Sequence, residues 1–134
     1  MRATTAPTQP VSTVASTVVA EVDFAQSLRS VAEALVADEI GAVLVRSPGR
    51  PPGVISERDL VTVMATGTDL RTVQAADVMT VELITAAPTE SIAAVGARML
   101  DAGIRHVLLT DGDEVVGVVS IRDVLHALLA DQET

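Results

Sequence analysis

The chain has 134 residues, 49% of them hydrophobic, with no cysteine, one Phe, no Tyr or Trp, and nine basic against 18 acidic residues for a formal net charge of −9. That length is about one ordinary domain, and the negative charge excludes a general nucleic-acid binder, whose affinity comes from neutralising phosphates. Without cysteine there are no disulfides, thiolate metal sites or cysteine nucleophiles, and a cytoplasmic location is expected.

In chain order, residues 1–12 are Thr- and Pro-rich without apolar periodicity and are expected to form a disordered or loosely draped lead-in. A short β-like stretch over 18–22 precedes Ser27. Apolar residues then fall at Leu28, Val31, Ala32, Leu35 and Val36, the spacing of an amphipathic helix that ends near Glu39. Residues 40–45 are continuously apolar and predict a strand buried on both faces. Ser47-Pro48-Gly49-Arg50-Pro51-Pro52 is a turn, so the next strand is Gly53 to Ile55. After Ser56, the residues Leu60, Val61, Val63 and Met64 return to helical spacing until Gly67.

A connector over 68–76 leads to Asp77-Val78-Met79-Thr80 and a short strand over 83–86. Pro88-Thr89-Glu90-Ser91 is a helix start, with Ile92, Val95, Met99 and Leu100 expected on the buried face and Gly103 as its left-handed cap. A buried strand over 104–110, a hairpin turn at Asp111-Gly112-Asp113, a strand over 115–119 and a helix over 123–129 complete the chain, with 131–134 as a tail. The longest apolar runs fall far short of the roughly 20 residues needed to cross a bilayer. No basic segment joins an apolar run at the N-terminus, so no secretory signal is expected.

One phrase occurs twice: Gly53-Val54-Ile55-Ser56-Glu57-Arg58-Asp59 and Gly117-Val118-Val119-Ser120-Ile121-Arg122-Asp123, identical at five of seven positions and offset by 64 residues. The offset carries outward, pairing Ser27 with Ser91, Val31 with Val95 and Ile40 with Ile104. An internal repeat dictates the architecture: a first copy over 13–67 and a second over 77–130, each β-α-β-β-α, an α+β fold. A unit this small buries too little surface to be stable alone, so the two copies are expected to share one core.

Each phrase reads as a strand feeding a helix N-terminus, where unpaired backbone N–H groups and the positive dipole end favour an anion. The acid three residues after the Ser could accept hydrogen bonds from ribose hydroxyls. Ser-x-x-Asp is equally the pattern of a capping box, which satisfies only the first-turn donors, and one residue set can serve both ends. Arg58 and Arg122 could fork onto a phosphate or pair with neighbouring acids at the surface. His106 stands near the start of a buried strand, either as a packed residue or as a contact. With His106 and His126 the only histidines, a transition-metal site is not expected. No nucleophile–base pair or acid/base carboxylate pair is present, and because all nine basic residues are Arg a P-loop and a Schiff base are excluded. The near absence of aromatics means that a bound purine would have to be sandwiched by aliphatic side chains.

With the duplicated phrase, the Asp77-Val78-Met79-Thr80 opening and Gly103-Ile104-Arg105-His106-Val107 before the buried strand, some 120 residues resemble a tandem pair of CBS domains, the Bateman module. The resemblance implies a pseudo-twofold pair whose clefts bind adenosyl ligands such as AMP, ADP, ATP or S-adenosylmethionine, with no required cofactor. It also implies a homodimer that regulates a separate protein, unidentified by the sequence. The ligand-facing positions it carries over are Ser56 and Asp59, and Ser120 and Asp123. Arg58, Arg122, Thr80 and His106 join them as candidates. Because Glu57 adds negative charge to the first copy where the second has Ile121, the second copy is expected to be the better nucleotide site. The competing expectation is a ligand-free dimeric interaction protein of the same fold.

Overall fold

The computed structural model describes residues 6–17, 20–37 and 41–132. They fall into two compact units, Val19–Leu83 and Met1–Val18 with Ile84–Thr134.

In the first unit β1 (Glu21–Asp23), α1 (Leu28–Ala37), β2 (Ala42–Arg46), β3 (Gly53–Ser56) and α2 (Glu57–Ala65) are followed by 3-10 turns at Leu70–Thr72 and Ala75–Asp77. The sheet order is β1-β2-β3, parallel then antiparallel. In the second unit 3-10 turns at Ala6–Thr8 and Val11–Thr13 accompany β4 (Thr85–Ala86), α3 (Ile92–Ala102), β5 (His106–Asp111), β6 (Glu114–Ser120) and α4 (Ile121–Gln132). Its sheet repeats the order β4-β5-β6 with the same directions. The β-α-β-β-α plan therefore holds in both copies. Residues 18, 19 and 38–40, on which the predicted edges of the first strand, first helix and second strand fall, lie outside the described residues.

Among the described residues each unit has its own core rather than the single shared one expected, and the two cores occupy the same positions. One is Val22, Leu28, Val31, Leu35, Val43, Val45, Ile55, Leu60 and Ala75; the other, each residue 64 further on save one, is Ala86, Ile92, Val95, Met99, Val107, Leu109, Val119 and Val124, with Val11. Val11 is the exception because it stands 64 residues before Ala75. The repeat thus begins earlier than the phrase suggested, and its opening segments are exchanged: the one ahead of the first copy packs on the second, and the one ahead of the second packs on the first.

The backbone bonds repeat this exchange. Val11 N–H donates to the Glu90 carbonyl at 2.7 Å and Ile92 N–H to Gln9 at 2.9 Å, as Ala75 donates to Gln26 at 2.8 Å and Leu28 to Val73 at 2.8 Å. The predicted loose lead-in is corrected accordingly: within it, residues 6–12 contain 3-10 turns, and Val11 is wholly buried. Its order comes from bonds to distant residues, not from local propensity.

Two other expectations fail for a geometric reason. Val36 is 90% exposed and Leu100 is 76% exposed, though both were placed on apolar stripes. Each follows a buried residue, Leu35 or Met99, and one helical step of about 100° carries it off the narrow buried face. Val61 and Met64 are exposed on α2 as well. Ile104 is not a strand residue: Gly103, at φ +65°, closes α3 and Ile104 N–H returns to the Met99 carbonyl at 3.0 Å, the bond that ends a helix in left-handed caps. Strand β5 therefore starts at His106.

Candidate functional site

The duplicated phrase forms two strand-to-helix junctions, β3–α2 and β6–α4. At the first, Ser56 is extended, its hydroxyl accepts from Asp59 N–H at 3.3 Å, and its own N–H donates to Asp59 Oδ2 at 2.8 Å. At the second, Asp123 N–H donates to Ser120 Oγ at 3.1 Å and Ser120 N–H to Asp123 Oδ2 at 3.1 Å. Both copies are therefore closed capping boxes. Each carboxylate spends one oxygen on its own helix start and keeps lone pairs for another donor. All four residues are half-buried.

The glycine that leads each phrase makes room for the exchanged segment. A Cβ on Gly53 would fall 2.7 Å from Met79 Sδ, and one on Gly117 would fall 3.0 Å from the Ser16 carbonyl oxygen. In the space so kept, Thr80 bridges Val54 (N–H to carbonyl 2.9 Å, and 3.0 Å in return), while Ser16 bridges Val118 at 2.9 Å both ways. This corrects the grouping of Thr80 with Ser120 and Asp123: Thr80 lies in the unit of Ser56, on the strand that ends in it. The hydroxyl that stands beside the Ser120 strand is Ser16, which the sequence reading missed. The 64-residue offset from Thr80 to Ser16 was the signal that could have found it.

His106 opens β5 directly opposite Ser120 on β6, and Ala42 stands opposite Ser56. The sequence-predicted His106 and Ser120 are thus brought together, with side chains on the same face of the sheet. Arg58 and Arg122 lie one residue before their acids and are exposed. The surface pairing weighed for them does not occur: among the described residues the ion pairs are Arg29–Glu33, Arg46–Glu21, Arg71–Asp69 and Arg98–Glu90. Both guanidinium groups remain open to an anion.

The junctions differ in charge. The Glu57 carboxylate lies over Gly41, so close that a Cβ there would meet Oε1 at 2.6 Å; the register positions of Gly41 and Glu57 in the other unit hold Arg105 and Ile121. No group of three His, Cys, Asp or Glu suited to a metal ion occurs among the described residues. No described helix is long and apolar enough to cross a membrane.

The CBS-domain family model matches residues 6–66 and 75–130. Its first match starts within the lead-in, where the structure finds Val11 buried. A mitochondrial CBS domain-containing protein of Arabidopsis thaliana is 33% identical over 96 residues, covering 67% of this chain and 47% of its own length. The chain spans between about a third and a half of the length of the curated relatives it matches. Among solved structures, a CBS-domain protein from Agrobacterium tumefaciens is 26% identical at a TM-score of 0.80, covering 90% of this chain and 93% of its own. A CBS domain protein from Pyrobaculum aerophilum, complexed with AMP, is 27% identical at a TM-score of 0.75, covering 90% and 98%. With both sheets, both capped junctions and both repeats of the family model in place, the chain belongs to the CBS-domain family, as a tandem pair of the domain.

Proposed function

We propose that the chain is a regulatory sensor, not an enzyme, which binds an adenosyl ligand such as AMP, ADP, ATP or S-adenosylmethionine at its strand-to-helix junctions and signals to a partner protein. The observation that carries this reading is the repeated junction: a half-buried Asp with spare acceptor capacity for a ribose beside an exposed Arg without an ion pair for a phosphate. A 27% identical relative complexed with AMP supports it. The ligand acts by binding one arrangement of the protein more tightly than another, and the partner reads the shift.

Self-association belongs to the same reading. Val36 and Leu100, and Val61 and Leu125, are exposed apolar residues at equivalent positions of the two repeats, and a homodimer covers them. A cytoplasmic setting fits a chain free of cysteine.

The test is thermal denaturation with a panel of the four ligands and NADH, because a ligand selective for the folded state raises the midpoint. Silence from every ligand at millimolar concentration removes the sensing reading and leaves the ligand-free interaction protein. Where a nucleotide binds, Asp123→Ala weakens it more than Asp59→Ala; the opposite order refutes the ranking of the two junctions.

A further inference from the structure

The opening segment that packs on the second unit is tied to a loop which is itself held by charge. Val11 and Ser12 N–H donate to the Glu90 and Pro88 carbonyls at 2.7 and 3.1 Å, and Ile92 N–H donates to the Gln9 carbonyl at 2.9 Å. All three bonds run through residues 88–92. The Glu90 side chain fixes that loop: Oε2 accepts Ala87 N–H at 2.8 Å, Oε1 pairs with Arg98 Nη2 of α3, and Arg98 Nη1 lies 3.4 Å from Oε2. Arg98 Nη1 also donates to the Thr85 carbonyl at 3.0 Å. One ion pair thus ties together β4, the loop and α3.

The first unit makes the same docking without the charge. Ala75, Ala76 and Leu28 N–H donate to the Gln26, Phe24 and Val73 carbonyls at 2.8, 3.0 and 2.8 Å, every residue 64 positions from its equivalent. There Gln26 stands in place of Glu90 and Ala34 in place of Arg98. The Gln26 amide oxygen accepts Asp23 N–H at 2.6 Å, as Glu90 accepts Ala87 N–H. The loop bond needs an oxygen, not a charge, so the ion pair is an addition peculiar to the second repeat.

Residues 6–16 carry no ionisable side chain, so a response of this segment to pH comes from what it touches. Packed against it are α3, with Arg98 and Asp101, β6, with Glu114, and α4, with Arg122, Asp123, His126 and Asp131. Among the described residues Arg98 alone pairs with Glu90, and Asp123 is bonded to Ser120 N–H. The Arg98 and Glu90 side chains are 35% and 31% exposed, so protons reach the pair.

We propose that residues 9–16 are a strap on the second repeat whose hold is set by the Glu90–Arg98 pair, so that neutralising Glu90 loosens the strap while the elements beneath it stay folded. The strap is joined by five backbone bonds, three through residues 88–92 and two to Val118, and Val11 is its one buried residue. A segment with so few buried contacts opens at less cost than the whole unit. Arg98 and Ala87 N–H hold the Glu90 carboxyl below its usual range. The hold is therefore complete above the ordinary Glu value of about 4.3 and is lost as pH falls through the lowered one. Opening vacates the place of Val11 in the core and bares the Val118 edge of β6.

Hydrogen exchange of the full chain, read by NMR as protection relative to the unstructured rate at about pH 6 and about pH 3, tests this. The Val11, Ser12 and Val118 amides should lose protection on the order of fivefold in acid, the worth of a partly exposed ion pair, while the Met99 amide inside α3 keeps its own. Glu90→Gln installs the residue that serves in the first unit, and it and Arg98→Ala should each abolish the acid response. Strap amides that lose no protection in acid overturn the proposal. An equal loss at Met99 means that the unit unfolds as a whole and overturns it too. An acid response that persists in Glu90→Gln belongs to another group and removes the pair as the latch.

Discussion

Replacing Gly117 with Ala sets two effects of known sign against each other. The φ angle of Gly117 is not in the positive range, so alanine fits the backbone and, by restricting the unfolded chain, would stabilise by about 0.4–1 kcal/mol. Its Cβ would, however, lie 3.0 Å from the Ser16 carbonyl oxygen, 3.5 Å from Ala15 Cβ and 3.8 Å from Leu109 Cδ1. The nearest obstacle is backbone. That same oxygen accepts Val118 N–H at 2.9 Å, and Ser16 N–H returns the bond at 2.9 Å, so relieving the contact stretches both halves of the bridge. Overpacking of this kind costs about 1–3 kcal/mol, which leaves a net loss of about 1 kcal/mol and a midpoint lower by about 3–5 °C. Gly53→Ala differs because its Cβ would meet the Met79 side chain, at 2.7 Å from Sδ and 2.9 Å from Cγ, which can turn aside. The loss there is smaller, and Gly53→Ala combined with Met79→Ala recovers it, whereas Gly117→Ala with Ala15→Gly does not. Without Tyr or Trp, the transition is followed by far-ultraviolet circular dichroism, with hydrogen exchange at the Val118 amide reporting on the bridge. A Gly117→Ala protein as stable as the parent refutes the claim that the glycine exists to admit the exchanged segment.

Three further outcomes follow from the same structure. Val11→Ala removes two fully buried methyl groups and should cost about 2 kcal/mol in denaturant unfolding; an unaltered midpoint would restore the loose lead-in. Ser56→Ala and Ser120→Ala should each cost about 1 kcal/mol by opening a capping box, and a change under a few tenths in both would show that the caps carry no stability. The Arg98 guanidinium beside Glu90, reinforced by the Ala87 N–H, holds the Glu90 carboxyl below the usual carboxylate range. A lowered folded-state value means that the stabilisation is complete above the ordinary Glu value of about 4.3 and is lost as pH falls through the lowered one. Glu90→Gln should flatten that acid limb of the stability curve; an unchanged limb assigns the acid sensitivity elsewhere.

The duplicated phrase made the plan of both units legible because each element in it is locally encoded: β-branched runs for strands, a Ser with an acid three residues on for the caps, Gly103 for a left-handed stop. The candidate junctions were legible for the same reason. The exchange of segments was not. Nothing in residues 9–16 is periodic, and their place depends on pairing with distant residues, Val11 with Glu90 and Ser16 with Val118 on β6. Thr80 falls with the other junction because its segment packs on the first unit, and Ser16, its counterpart 64 positions earlier, is absent from the candidates for the same reason. Val36 and Leu100 show a different limit: helical spacing finds an apolar stripe but not its width, which depends on how much of the helix the neighbouring elements reach. The surface pairing considered for Arg58 and Arg122 was reasonable from the excess of acids, yet the acids that found partners did so with other arginines.

The exchanged opening segment also matters for how the chain is made. Residues 20–83 hold one whole unit in a continuous stretch, so that unit can close as soon as it has been synthesised. Val11 and Ser16 leave the ribosome earlier still, but their partners Glu90 and Val118 follow 79 and 102 positions later (90 − 11 and 118 − 16). Until the last strand emerges, β6 has no edge for Ser16 to dock on. Domains generally fold in order of synthesis, and here residues made before the continuous unit find their place only after it, leaving an apolar valine and a set of unpaired amides waiting until their distant partners have been made.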